Sequence, residues 1–190
     1  MKRSEINTIY VEAKACFAGN GWALPPDPKW DITDFGLAVF DRYGLVLINL
    51  AEEPEYCEKL MYARQGQTTP LHTYAKKNED IICRSGILAL ELWSGHPEKT
   101  GTDTVFEVQF NGKKRSHASG EILRIAAGER ITWTHGIYHA FWPETEGCII
   151  GEVYTANDDT NDNFFVNPGI GRFPGLEEDE PALIQLISDK

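Results

Sequence analysis

The chain is poor in the side chains from which reactive centres are most easily built. Among its 190 residues only five are histidine, four are cysteine and two are methionine. The cysteines, Cys16, Cys57, Cys83 and Cys148, form no CxxC pair, which excludes a zinc ribbon and a thioredoxin-like redox motif. Cys83 and Cys148 lie in apolar runs and read as buried thiols. Positive charge is also scarce, with 18 Lys and Arg against 29 Asp and Glu and a formal net charge of −11. A nucleic-acid backbone requires clustered Lys and Arg, so that class of partner is excluded. No run approaches the ~20 apolar residues of a membrane span. Met1-Lys-Arg-Ser-Glu-Ile-Asn7 enters a helical pattern and lacks the apolar stretch of a secretory signal, so a cytoplasmic protein is expected.

What is present is globular: 42% hydrophobic and 25% charged residues over the length of one ordinary domain. Ser4 before Glu5 marks a helix start, and Ile6, Ile9, Tyr10, Ala13 and Phe17 recur at helical spacing until Gly19-Asn20-Gly21. Pro25, Pro26 and Pro28 make a rigid connector. Beyond it the chain reads as short strands at 44–50, 58–63, 80–83, 87–93, 105–110, 121–125, 130–134 and 148–154. Asn111-Gly112 is a two-residue hairpin signal. Many short strands separated by turns predict an all-β core, and the double-sheet jelly roll, or cupin, fits best. The expected division is a single domain over 1–190: helix and connector at 1–43, barrel at 44–155, C-terminal extension at 156–190. Glu177-Glu-Asp-Glu180 reads as a solvated surface run.

The chemistry concentrates in two places. In His72-Thr-Tyr-Ala-Lys-Lys-Asn-Glu79, strand parity sends His72 and Tyr74 to one face, and Glu79 follows five residues after Tyr74. His139, in Gly136-Ile-Tyr-His-Ala-Phe-Trp142, adds a distant imidazole. Two histidines and a carboxylate suit a divalent first-row metal. His135 is a spare ligand candidate, whereas His96 and His117 lie in polar stretches and are expected to be exposed. Glu152 sits in an apolar strand with Ile150 and Tyr154 on its face. A carboxylate pointing into a barrel must be paired, ligated or catalytic. Lys77 is either a solvent-facing neighbour of Lys76 or a cation for a developing oxyanion. The aromatic residues Trp133, Tyr138, Phe141 and Trp142 around His139 read either as core or as the stacking walls of a sugar site. The segment Asn157–Asn163 is rich in side chains that bind hydroxyls, although such residues favour turns in any case.

With these residues in view, the whole chain resembles the D-lyxose isomerases, cupin-fold sugar isomerases that use manganese or a similar divalent ion. The resemblance runs through Met1–Asn7, Leu24-Pro-Pro26, Trp30-Asp-Ile-Thr-Asp-Phe-Gly36, Thr69-Pro-Leu-His72 and Lys76–Arg84. It continues in Gly136–Trp142, Gly151-Glu-Val153, Asn157-Asp-Asp159, Asp162-Asn163, Gly171-Arg-Phe-Pro174 and Glu177–Pro181. The family's His-x-His, Glu and distant His would fall on His72, residue 74, Glu79 and His139. Residue 74 is a tyrosine here, so one imidazole of the family pattern is replaced. The resemblance implies Glu152 as the proton-transfer glutamate, Lys77 as a lysine near the metal, and Asp162, Arg172, Trp142 and Tyr74 at the sugar. The ion implied is Mn²⁺ first, with Zn²⁺, Co²⁺ or Fe²⁺ as alternatives.

The implied reaction interconverts D-lyxose and D-xylulose, with D-mannose and D-fructose as a second pair, through an enediol. The expected partner is a monosaccharide, and a homodimer is expected from the habit of cupins to pair through their sheets. Tyr74 is expected to face the pocket without ligating as a phenolate, because an unperturbed phenol has a pKa near 10. The replaced imidazole also leaves a rival reading, a non-catalytic sugar-binding or sensing cupin. The His₂–carboxylate set alone would further suit an Fe(II) oxygenase.

Overall fold

The computed structural model of the chain describes residues 1–155, 162–170 and 175–189. Helix α1 (Arg3–Gly19) is followed by strand β1 (Lys29–Thr33), the short helix α2 (Phe40–Tyr43), β2 (Leu45–Glu52) and β3 (Cys57–Ala63). Next come β4 (His72–Thr73), β5 (Glu79–Ser85), β6 (Ile87–Trp93), β7 (Val105–Phe110) and β8 (Lys113–Ala118). The last are β9 (Ile122–Ala126), β10 (Arg130–Trp133), β11 (Tyr138–Pro143), β12 (Cys148–Tyr154) and β13 (Phe164–Phe165). They form an eight-stranded sheet ordered β1-β2-β3-β12-β5-β10-β7-β8 and a five-stranded sheet ordered β13-β4-β11-β6-β9. The two antiparallel sheets are the jelly roll of a cupin, with one N-terminal helix outside it.

Parity along β12 explains the layering. Cys148, Ile150, Glu152 and Tyr154 alternate with Ile149 and Val153, so one face of the strand looks between the sheets and the other looks outward. Cys148 and Ile150 belong to an interior core with Met61, Ile81, Leu90 and Ile131. Ile149 joins a second core in which Ile6, Ile9, Ala13 and Phe17 of α1 cover Trp30, Ile32, Ile48 and Leu60. β12 is therefore buried on both faces, between β3 and β5, which is why its run is apolar apart from Glu152. Its register with β5 shifts between Ile149 and Ile150, and such bulges commonly re-aim the residues that follow.

The structure differs from the sequence expectations in informative ways. Strands β1, β4, β8, β11 and β13 were not among the expected runs. β8 is polar throughout and owes its place to the hairpin, where Asn111 and Gly112 both adopt positive φ, at 50° and 76°. His117 on that strand is buried rather than exposed: its Nε2 lies 3.0 Å from the Glu121 carbonyl and its ring meets Phe106 edge-on. The acidic run is exposed but not idle. Glu178 pairs with the buried guanidinium of Arg3, Asp179 accepts hydrogen bonds from Ser4, and Glu180 accepts one from Asn7. These carboxylates gather at the positive end of α1, where the helix dipole favours them. No helix among the described residues is long and apolar enough to cross a membrane.

Phe17 is fully buried between α1 and the large sheet, against Trp30 and Tyr62. Phe17→Ala should lower stability by about 3–5 kcal/mol, measured by urea denaturation. A loss below about 1 kcal/mol would mean that α1 is not part of the cooperative unit.

Candidate active site

Two backbone carbonyls orient the centre of the site. β4 and β11 meet at a single register position, His139 opposite His72, which sets the two ring centroids 4.2 Å apart. The strand is fixed from before its start: Thr69 donates its N–H to the Phe141 carbonyl and accepts the Phe141 N–H on Oγ1, each at 3.0 Å. His72 Nδ1 lies 2.8 Å from the Pro70 carbonyl, and His139 Nδ1 lies 3.3 Å from that of Ile137. A carbonyl only accepts, so each Nδ1 carries the proton and each Nε2 keeps a lone pair. Metal-binding histidines are held in just this way. Burial keeps both rings neutral. It pushes the His139 pKa down to about 4, and it takes His72 well below the usual imidazole value, with repulsion from His139 adding to the effect.

Glu79 opens β5 and Glu152 lies on the neighbouring β12, both almost completely buried. Their side chains hydrogen-bond to each other, which requires a shared proton. Burial first, then this bond to Glu79, raises the Glu152 carboxyl to about 8, while Lys59 and Lys77 pull it back down. Glu79 Oε2 lies 3.3 Å from His139 Nε2, close enough for an ion pair, yet His139 Nε2 makes no hydrogen bond and has no solvent contact. Tyr74 faces the same space, with its hydroxyl 3.2 Å from His72 Nε2, where the phenol donates to the lone pair.

This donor set fits a divalent cation on two observations. A fully buried imidazole nitrogen is left without a hydrogen bond, and two carboxyls sit beside two imidazoles already turned to present lone pairs. The groups now face one another: no three His, Cys, Asp or Glu side chains among the described residues converge as a complete ligand set. An ion would have to displace the phenol from His72 and the proton shared by the carboxyls.

The centre opens into a cavity of about 70 Å³ lined by His72, Tyr74, Glu79, Glu152, Thr69 and Phe141. Its remaining wall comprises Asp31, Thr33, Phe35, Leu45, Leu47, Lys59, Met61, Asn163 and Phe165. Such a volume admits several waters, and polar groups are present to hold them. Phe35 adopts a positive φ of 56°, held by Thr33 and Asp34 side chains that accept the N–H groups of Phe35 and Gly36. That turn sets its ring 6.1 Å from Phe165.

The structure brings His72, Tyr74, Glu79, His139 and Glu152 together and gives Lys77, Asp162 and Trp142 surroundings other than those expected. Lys77 is buried, but its ammonium lies between the faces of Tyr74 and Tyr154, 3.9 and 4.1 Å from the ring centroids. The lysine that lines the cavity is Lys59, directly across from Glu152 on β3. Asp162 does not reach for a ligand: its carboxylate accepts the backbone N–H groups of Ala75, Lys76 and Lys77 and so fixes the loop before Glu79. Trp142 shares a face of β11 with Tyr138 and Ala140, opposite to that of His139 and Phe141, and is not a cavity wall. His135 is exposed. Arg172 and Asn157–Asp159 lie outside the described residues. Lys59 had a readable signal, as the one charged residue on the Cys57–Lys59–Met61 face of its strand, with Glu58 on the other face.

Known proteins resemble this chain along most of its length. The D-lyxose isomerase family model matches residues 27–190. The chain is 42% identical to a D-lyxose/D-mannose isomerase of Serratia proteamaculans, covering 95% of this chain and 94% of that protein. It is 34% identical to a D-lyxose/D-mannose isomerase of Escherichia coli O157:H7, covering 100% and 98%. Its fold is similar to the solved L-ribose isomerase of Cellulomonas parahominis, with a TM-score of 0.68 at 16% identity over 93% of this chain and 98% of that one. The chain is a sugar isomerase and belongs to the D-lyxose isomerase family.

Proposed function

We propose that this protein is a metal-dependent aldose–ketose isomerase interconverting D-lyxose and D-xylulose, with D-mannose and D-fructose as a second pair. The observation that carries the reading is the position of Glu152. It is a buried carboxyl on the cavity wall beside Glu79 and His72, in a chain of this family. Binding alone needs no proton-transfer base, and Glu152 falls at the position where the family resemblance implies one. His72, Glu79 and His139 would hold one divalent ion, Mn²⁺ in the first instance, which when bound supplies a Lewis acid toward the sugar's carbonyl and adjacent hydroxyl.

The protein's own part is proton transfer. With its carboxyl ionised, Glu152 takes the proton from C2 of the open-chain aldose. The C–H electron pair becomes the C1–C2 double bond, and the carbonyl pair moves to O1, which takes up the proton that O2 gives up. Glu152 then returns its proton to C1, where the C1–C2 pair forms the new C–H bond, as the electron pair left on O2 closes the C2 carbonyl. At neutral pH a carboxyl with a pKa of about 8 holds its proton, and a cation beside Glu79 and Glu152 would release it. Tyr74 would stand back from such an ion and orient a neighbouring oxygen through its hydroxyl. The ammonium groups of Lys59 and Lys77 add the positive field that favours the enediolate.

Two measurements test this reading. Glu152→Gln keeps the size of the side chain and removes its basicity, so kcat on D-lyxose should fall ~10²–10⁴-fold while metal content by elemental analysis is unchanged. Near-normal turnover would remove Glu152 from the mechanism. Tyr74→His should tighten Mn²⁺ binding in a direct metal titration, because it supplies a third imidazole and frees His72 Nε2. Equal affinities would mean that position 74 never reaches the ion. Wild-type protein that binds D-lyxose yet never turns it over, with Mn²⁺ present, would favour the non-catalytic reading instead.

A further inference from the structure

We infer that Asp31, Lys59 and Asn163 form a subsite that binds the sugar hydroxyls remote from the carbons exchanging a proton, and so select among aldoses. The inference rests on the isomerase reading and extends it along the cavity. From Glu152 the large sheet runs through β3 and β2 to β1. Lys59 is the register partner of Glu152, and Asp31 lies two strands further on, in the row of Leu47, Met61 and Ile150. Three strand spacings span about 14 Å of sheet, and inward-reaching side chains shorten that gap to the scale of a small sugar. A five-carbon chain leaving Glu152 along this wall meets Lys59 first and Asp31 next.

The alternation of β1 argues that this wall is built for a ligand. Its outward residues Trp30 and Ile32 fill the core beneath α1, as expected of a packed strand. Its inward residues are Asp31 and Thr33, although their neighbours Leu45, Leu47 and Met61 are apolar. Asp31 and Lys59 are each only 5% exposed. Hydrophobic replacement of buried ionisable pairs is often neutral or stabilising, so two ionisable groups on an apolar wall are not explained by packing. Across the cavity, Asn163 Oδ1 is buried and makes no hydrogen bond. A carboxylate, an ammonium and an amide oxygen together supply the acceptors and donors that adjacent hydroxyls require. Phe35 and Phe165 supply an apolar edge for the C–H face of a sugar. Asp31 and Asn163 take no part in the proposed proton transfer, and Lys59 enters it only through the field of its charge.

The test compares D-lyxose with D-glyceraldehyde, which undergoes the same hydrogen shift but has no carbon beyond C3. Asp31→Asn and Asn163→Ala should each lower the pentose-to-triose ratio of kcat/KM by about 10-fold or more, the size of effect expected for hydrogen bonds to a buried polar site. A second readout needs no turnover. The Kd for D-arabinitol, the pentitol of D-lyxose, should rise by a similar factor in both variants. Wild-type activity with an unchanged ratio and unchanged Kd would overturn the subsite and leave the isomerase reading standing. Loss of arabinitol binding in variants of a wild type that turns over neither sugar would support the subsite and overturn that reading. Should Asp31→Asn fail to fold by circular dichroism, Asn163→Ala decides, because its side chain lies in a peripheral segment that carries no core.

Discussion

Four ionisable side chains removed from water between two sheets are the constraint to which the rest of the structure answers. His72, His139, Glu79 and Glu152 cannot all be charged there, because burial of an uncompensated ion costs far more than a fold can spare. The compensation is specific. Backbone carbonyls take the Nδ1 protons and fix both rings as neutral bases. The two carboxyls share a proton, and Lys59 and Lys77 oppose the rise in the Glu152 pKa. The result is a set of lone pairs and one shared proton, arranged so that a dication could take the proton's place. Metal binding to such a set releases protons, and metal affinity accordingly falls as pH falls.

Secondary structure provides that arrangement with few degrees of freedom. One antiparallel register position places His139 opposite His72, and the double burial of β12 carries Glu152 inward. Asp162 does comparable work for the loop between β4 and β5, since three consecutive N–H groups converge on its carboxylate. That loop carries Lys77, whose ammonium is then clamped between Tyr74 and Tyr154. A lysine held against two aromatic faces keeps its charge near the site while losing the freedom to reach a substrate. Lys59 differs because it enters from the adjacent strand and meets the cavity directly.

Much of the centre was legible because period-two alternation is a strong signal. The direction of Tyr74 relative to His72, and of Glu152 relative to Ile150, follows from parity alone. The distant pairing of β4 with β11 is a tertiary fact that parity cannot give, and His139 was joined to His72 by the chemistry of the donor set and by the family resemblance. Trp142 shows the limit of proximity in sequence: three residues from His139 along a strand is the wrong parity, and its ring faces away. His117 was misjudged because a hydrophilic hairpin strand can still turn one side chain into the core. The roles of Asp162 and Asp31 were unreadable for a different reason. A carboxylate that caps a loop and one that lines a cavity have the same local sequence signature, and only burial with partners separates them.

Tyr74 has a consequence that the replacement of one ligand by another does not capture. An imidazole at this position would add a lone pair to the centre, whereas the phenol adds a donor, and it donates to the very nitrogen that a cation requires. Binding an ion through His72 therefore means breaking that hydrogen bond, at a net cost of about 1 kcal/mol. The phenol cannot simply swing away, because its ring is packed against Lys77 on one side and lies 5.6 Å from the His139 centroid on the other. It must rotate its hydroxyl within that slot and take a new acceptor beside the ion, such as a coordinated water or the sugar. If an ion binds there as proposed, a substrate oxygen would be an acceptor that relieves the cost, and occupation of the metal position and of the sugar position would favour one another.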